Sequence, residues 1–259
     1  IGILKYLPNG MLTHVPFSLT PYAMTESCFE EMAGLTAPFS ELMIQVSMNT
    51  DFLVYHLEPI AAIDPFLKKL MDCRSKEITQ SNQLLVHRND FFIANVTKNN
   101  DNQNNLTTKE TTESEVLRQV ELNTVSASFP FLISKLNQLH NDLFKQINLP
   151  EVIQNNPLDA VVDAFANAVQ NYGISDTVLL VIVQPEEKNI FDQLGLGQHL
   201  WAKHKIATVR KTLAEINTDG KLRQGHLVVD EKTVAVTYYR AGYTPDDFST
   251  KDAFKGRLL

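Results

Sequence analysis

Val178-Leu179-Leu180-Val181-Ile182-Val183 is an unbroken apolar run. Such a run, rich in β-branched residues, reads as a strand buried on both faces, which needs helices above and below it. The next residues supply them. Asn189 to His204 reads as a helix, Ile206 to Val209 as a strand and Leu213 to Ile216 as a helical turn. Leu227 to Val229 and Val234 to Tyr239 then bracket the turn Asp230-Glu231-Lys232. This alternation predicts parallel pairing and an α/β layer.

Working back towards the start, Leu158, Val162, Phe165, Val169 and Tyr172 form one face of an amphipathic helix. Asn156 is its expected cap, Pro157 its first position and Gly173 its exit. Leu132, Leu136, Leu139 and Leu143 repeat at helical spacing as well. Two strands are expected at Leu84 to Val96 and Leu117 to Ser126, flanking the Asn- and Thr-rich run Asn99 to Ser114. That run is too polar to bury and reads as a long mobile hairpin loop, most simply an insertion without function. The opening third reads as mainly helical, with Ser40 to Leu57 its clearest stretch and Pro59 and Pro65 punctuating the residues after it. Three parts are expected: residues 1–150, a helical segment with a hairpin; 151–248, an α/β domain; and 249–259, the start of a further helix. The boundary falls near residues 150–175.

With 44% apolar and 20% charged residues in 259, the composition is that of a globular domain. The net charge of −7 argues against nucleic acid as a partner. An anionic ligand would need a locally basic pocket. No apolar run approaches the ~20 residues that cross a bilayer, so no membrane partner is expected. Cys28 and Cys73 match neither a metal spacing nor a redox pair, which makes a reducing compartment the default and leaves a single disulfide open. The chain begins at Ile1 and stops at Leu259 inside an expected helix, and it reads as a segment of a longer polypeptide.

Standard catalytic signatures are absent: there is no Gly-rich phosphate loop, zinc spacing or nucleophile elbow. His199 and His204, five apart, are expected on different sides of a helix, as surface residues rather than metal ligands. Four polar stretches end apolar strands, where α/β sheets bind ligands. They are Val86 to Asp90, Val120 to Phe129, Gln184 with Glu187 to Gln193, and Tyr238 to Pro245. Strand geometry puts Glu121 and Asn123 on one face, as shared coordination of a hard cation requires. Each stretch also has a plain structural explanation. Arg88 can pair with Asp90, Glu121 can be an exposed hairpin face, Asn189 can cap a helix, and Gly242 can be turn chemistry.

Taken together, the stretches resemble one family. Glu121-Leu122-Asn123-Thr124-Val125-Ser126-Ala127-Ser128-Phe129 resembles the E-x-N-T-[IV]-S-x-S-F signature of eukaryotic glutathione synthetases. Glu187-Lys188-Asn189-Ile190-Phe191-Asp192-Gln193 is similar to that family's E-R-N-[IV]-F-D-Q. Arg240-Ala241-Gly242-Tyr243-Thr244-Pro245 is similar to R-x-G-Y-x-P, and Arg88-Asn89-Asp90-Phe91 to R-S-D-Y. Order and spacing agree from about residue 14 to the end.

The resemblance implies a permuted ATP-grasp fold, with a helical N-terminal part, a parallel-sheet substrate-binding domain and further family elements beyond Leu259. It implies a magnesium-dependent ligase that joins γ-glutamylcysteine to glycine at the cost of ATP, through an acyl phosphate. A homodimer in the cytoplasm is implied, or a secreted protein once an N-terminal segment is removed. Carried over by position, Glu121 would contact ATP, and Glu121 with Asn123 would hold magnesium. Arg88, Val125, Ser126, Ala127, Ser128, Glu187, Lys188, Asn189, Gln193, Arg240, Ala241, Gly242 and Tyr243 would contact γ-glutamylcysteine. The family's nucleotide lysines, later magnesium glutamate, lid loop and glycine-binding arginine lie beyond the matched stretch. No residue here is expected to be catalytic, and the segment alone is expected to be inactive.

Three departures from the family pattern stand out. Pro130 and Phe131 replace two glycines, so Phe131 is expected to add bulk beside the pocket, or Pro130 simply to open the Leu132 helix. Lys188 replaces an arginine, and Ala241 a position often held by aspartate. The other reading these departures support is a diverged relative with an altered ligand or a non-catalytic binding role.

Overall fold

The computed structural model describes residues 2–74, 82–99 and 111–259. In chain order the elements are β1 (Leu4–Tyr6), β2 (Leu12–His14), α1 (Glu26–Gly34), α2 (Thr36–Met48), α3 (Thr50–Ala61) and α4 (Pro65–Arg74). The hairpin β3 (Arg88–Asn99) and β4 (Thr111–Asn123) comes next, then α5 (Pro130–Gln146) and α6 (Pro157–Tyr172). The rest of the chain forms β5 (Val178–Ile182), α7 (Ile190–His204), β6 (Ala207–Lys211), α8 (Leu213–Asp219), β7 (Gly220–Arg223), β8 (His226–Val229) and β9 (Lys232–Tyr239). A 3₁₀ turn, Pro245–Phe248, precedes α9 (Lys251–Leu258).

Two compact units share the chain. One holds Ile1–Pro21, Tyr55–Val86 and Val125–Leu259; the other holds Tyr22–Val54 and His87–Thr124.

The larger unit is built on a five-stranded sheet in the order β6-β5-β9-β8-β7. β5 lies next to the β6 edge, parallel to β6 on one side and to the central strand β9 on the other. Every residue of β5 is buried, as its apolar composition requires. The sheet is mixed rather than wholly parallel, because β7, β8 and β9 pair antiparallel through tight turns. Leu179 and Val181 face one core cluster, with Leu158, Val162 and Phe165 of α6, Leu196 and Leu200 of α7, and Tyr238. Val178, Leu180 and Ile182 face the other, with Leu213 and Ile216 of α8 and Phe66 and Leu70 of α4. Helices thus cover both faces of the sheet.

β9 carries an extra residue. Val178 pairs with Val234 but Leu179 pairs with Val236, so Ala235 bulges out of the ladder. Val234 accordingly sits in the second cluster, while Val236 and Tyr238 sit in the first.

Two glycines let α7 pack closely. A Cβ at Gly195 would overlap the Phe131 ring, and one at Gly197 would come 2.6 Å from the Thr208 hydroxyl of β6. Phe131 is therefore spent in packing between α5 and α7. Pro130 stands at the first position of α5, so the helix-opening reading of this departure holds. Neither Cys28 nor Cys73 is in a disulfide.

Several local expectations need correction. The stretch Ser40 to Leu57 is divided between α2 and α3, and Pro59 lies inside α3 rather than after the helix. Asn156 occupies the cap position of α6, but its side chain bonds to no helix backbone. The Leu158 N–H is met instead by the Ser134 hydroxyl at 3.3 Å. His199 and His204 do not face different sides of α7. They bond to Asp159 at 2.6 Å and Asp163 at 2.7 Å, a pair one turn apart on α6.

In the smaller unit β3 and β4 pair antiparallel from Arg88↔Asn123 to Asn99↔Thr111, with a bulge between Asp90 and Phe91. Asn99 and residues 111–114 of the expected loop are strand; residues 100–110 lie outside the described residues. No helix among the described residues is long and apolar enough to cross a membrane.

Candidate functional site

The carboxyl ends of β5, β6 and β9 carry Gln184, Arg210 and Arg240, in the position where open α/β sheets take ligands. Around Arg240 the larger unit assembles a buried polar cluster. Arg240 is 2% exposed and Asp192 is 0% exposed. The Arg240 guanidinium donates to the Ser128 hydroxyl at 2.9 Å, and to the Ala127 carbonyl and an Asp192 oxygen at 3.4 Å each. Its Nε is buried without a partner. The Tyr238 hydroxyl donates to the Ala127 carbonyl at 2.9 Å, and burial pushes its pKa up.

The loop that meets Arg240 is strained. Ser126 has φ +54° and Phe129 φ +79°, the left-handed region that side-chain-bearing residues rarely adopt. Two such residues within four positions need outside support, and strain of this kind gathers at functional sites. The support is visible. Ser126 Oγ donates to the Arg240 carbonyl at 3.1 Å, and Ser128 Oγ to the Ser126 carbonyl at 3.0 Å. Asp192, reaching over from α7, accepts the N–H groups of Phe129 at 2.9 Å, Phe131 at 3.1 Å and Leu132 at 3.3 Å. One carboxylate thus takes the orphan donors at the start of α5, while Pro130 between them has none to satisfy. The negative charge also complements the helix dipole.

A second chain of bonds runs along the start of α7. Glu187 Oε1 accepts the Asn189 N–H at 2.8 Å, and Glu187 Oε2 accepts from Gln193 Nε2 at 2.6 Å. Gln193 Oε1 in turn accepts from Arg210 Nε at 3.1 Å and Nη2 at 2.8 Å. Asn189 holds the cap position of α7 without a side-chain capping bond. Lys188 is exposed.

The loop after Arg240 turns on Asp247. Asp247 Oδ2 accepts the N–H groups of Gly242 at 2.9 Å, Tyr243 at 3.1 Å and Thr244 at 3.2 Å, and Oδ1 accepts from Gln184 at 3.0 Å. Burial is the largest single influence on this carboxyl and pushes it up. The donors of Tyr243, Gly242, Gln184 and Thr244 together outweigh burial and hold it below its ordinary value. Gly242 takes φ +95°, Ala241 is buried in the second core cluster, and Tyr243 is exposed.

Arg88, Glu121 and Asn123 belong to the smaller unit. Arg88 forks onto Asp90 with bonds of 2.7 and 2.9 Å and lies 3.7 Å from Glu121. The Asp90 bond keeps the guanidinium charged and the Asp90 carboxyl below its usual range. Glu121 and Asn123 share a face as expected, since Asn123 Nδ2 donates to Glu121 Oε1 at 2.9 Å. No group of three or more His, Cys, Asp or Glu side chains that could hold a metal occurs among the described residues. A magnesium ion held by one carboxylate, one amide oxygen and substrate phosphates needs no such group. Glu121 and Asn123 fit magnesium in that partial sense, because they lie side by side and supply one carboxylate and one amide oxygen.

The larger unit brings Ser126, Ala127 and Ser128 onto Arg240, and separately joins Glu187, Asn189 and Gln193 in the chain that ends on Arg210. Val125 is exposed beside Ser126. Asp192 and Tyr238 stand inside the polar stretches read from the sequence but were given no role there, and Arg210 and Asp247 lie outside them. Arg210 carries a readable signal, because it stands opposite Val181 in the parallel pair and so shares its face of the sheet.

Comparison with known proteins agrees with this architecture. The family model for the eukaryotic glutathione synthase ATP-binding domain matches residues 5–235. Chloroplastic glutathione synthetase of Solanum lycopersicum is 34% identical over 98% of the chain and 45% of its own length. Glutathione synthetase of Dictyostelium discoideum is 34% identical over 96% of the chain and 52% of its own length, and that of Homo sapiens 30% over 97% and 52%. The chain spans about half the length of these curated relatives. A solved glutathione synthetase-like effector (GSS30) from Globodera pallida, 18% identical, shares the fold at a TM-score of 0.68 over 93% of this chain and 54% of its own. With a family model covering most of its residues, the chain belongs to the eukaryotic glutathione synthetases.

Proposed function

We propose that this chain supplies the γ-glutamylcysteine site and part of the magnesium and phosphate site of an ATP-dependent ligase that makes glutathione. The observation that carries this reading is the strained Ser126–Phe129 loop, pinned by Arg240 and Asp192 beside the Glu187–Gln193–Arg210 chain.

A carboxylate resists attack by an amine because it is anionic and lacks a leaving group. Phosphorylation by ATP makes an acyl phosphate, and the glycine amine displaces phosphate from it. No protein nucleophile is needed; the site must position the substrate and neutralise charge. In this reading Val125 to Ser128 present main-chain and hydroxyl groups to γ-glutamylcysteine. Glu187 and Asn189 take its polar end, with Gln193, Lys188 and Gly242–Tyr243 around them and Ala241 supporting the turn. Arg88 and Arg240 supply positive charge. Glu121 and Asn123 would hold magnesium, which shields phosphate charge when bound. A homodimer and a cytoplasmic setting complete the proposal.

The test is ADP release by the complete gene product, measured with γ-glutamylcysteine and glycine each present or omitted. Release that needs both is expected; its absence from an intact, magnesium-loaded protein overturns the ligase. A second reading, a diverged member with another ligand, is favoured by one observation: the Arg240 guanidinium is closed in by protein groups. Calorimetry with γ-glutamylcysteine separates the two, since only the ligase predicts heat of binding.

A further inference from the structure

Arg210 lies outside the four stretches that resemble the family signatures. It is the next-to-last residue of β6, pairs in register with Val181, and points to the sheet face that α7 covers. Gln193 comes from the first turn of α7 and is buried. The guanidinium has donors only, so the two bonds it makes require the Gln193 oxygen to face it. The amide NH₂ must then face Glu187, where it donates at 2.6 Å. A flipped amide would set donors against donors at Arg210 and an oxygen against the Glu187 carboxylate. The orientation of Gln193 is thus dictated from β6, and with it the direction in which Glu187 offers its remaining lone pairs. Burial lowers the Arg210 pKa, opposed by the charge of Glu187 and assisted by that of Arg240, which marks the three as one electrostatic group.

We propose that Arg210 is a positioning residue for substrate selection: by locking Gln193 it holds Glu187 ready for the ammonium group of an α-amino-acid ligand. What Glu187 meets rests on the ligase reading; how Glu187 is held rests on the hydrogen bonds alone.

The test uses the complete protein with Arg210→Ala and Arg210→Lys, and it has two arms. The first needs no ligand and tracks hydrogen exchange of the Gln193 side-chain amide by NMR. Exchange should accelerate at least about tenfold in Arg210→Ala, and less in Arg210→Lys, which keeps one donor. The second compares binding of γ-glutamylcysteine with glutarylcysteine, which lacks only the α-amino group. Arg210→Ala should weaken γ-glutamylcysteine about tenfold and glutarylcysteine less than about twofold. Unchanged amide exchange in Arg210→Ala overturns the positioning role whatever the ligands do. Accelerated exchange, with both ligands bound alike by the unaltered protein, overturns the ammonium assignment for Glu187 instead. If neither ligand binds the unaltered protein, the ligase reading itself falls.

Discussion

The Phe131 ring lies over Gly195, so closely that α7 has no room for a methyl group there. At this position the family pattern has glycine, and the added bulk is absorbed by a hole on the facing helix. Gly195→Ala should therefore destabilise the fold by about 1–3 kcal/mol, the usual cost of overpacking. Combining it with Phe131→Ala should cost less than the sum of the two single changes, because the ring no longer obstructs the methyl. Denaturant midpoints for the four proteins measure this. Strict additivity would mean that the two residues are not coupled.

Asp192 and Arg240 form a buried pair in which each has other duties. Asp192→Ala strips the start of α5 of its acceptor and leaves Arg240 unbalanced, so a loss of about 3–5 kcal/mol is expected in equilibrium unfolding. Asp192→Asn, which keeps one oxygen acceptor, should lose less.

Arg240→Ala should act twice. Stability should fall by a similar amount, since Asp192 loses its counter-charge. In the proposed ligase, affinity for γ-glutamylcysteine should also weaken by roughly 1.5–3 kcal/mol, the scale of a hydrogen bond to a charged group. Calorimetry on the folded variant separates the two effects, and unchanged affinity would remove Arg240 from ligand recognition.

Acid should loosen the loop from Gly242 to Thr244. The folded Asp247 carboxyl titrates below its ordinary value of 3.8. Its contribution is therefore present above that value and is lost as pH falls through the lower, folded one. Protection of the Gly242 and Tyr243 amides against exchange, relative to unstructured amides at the same pH, should fall selectively below about pH 4. Asp247→Ala should show the reduced protection already at neutral pH, with little further loss of protection on acidification.

Much of this architecture was legible in the residues themselves. The run from Val178 to Val183 announces a strand covered on both sides, and Pro157 with Gly173 brackets α6 as written. What escaped was decided by tertiary partners. The edge strand β7 is short and polar, so neither its length nor its pattern stands out, whereas β8 beside it follows the expected Leu227 to Val229. The cap of α5 comes from Asp192, sixty residues downstream in the chain, and no local motif encodes such a partner. The left-handed Phe129 is invisible for the same reason, because nothing nearby in sequence marks a bulky residue for that conformation. His199 and His204 turn to one side because Asp159 and Asp163 draw them there, against simple helical spacing.

The bulge at Ala235 reaches further than its size suggests. Side chains alternate along a strand, so one surplus residue exchanges the destinations of every residue after it. Upstream of it Val234 looks towards α8; downstream, Tyr238 looks towards α6 and α7, and Arg240 continues that alternation to Asp192. Removing Ala235 alone would send tyrosine and arginine to the wrong side of the sheet and bring Tyr239 round in their place. The address of the guanidinium is thus written five residues ahead of it, in a count rather than in a contact.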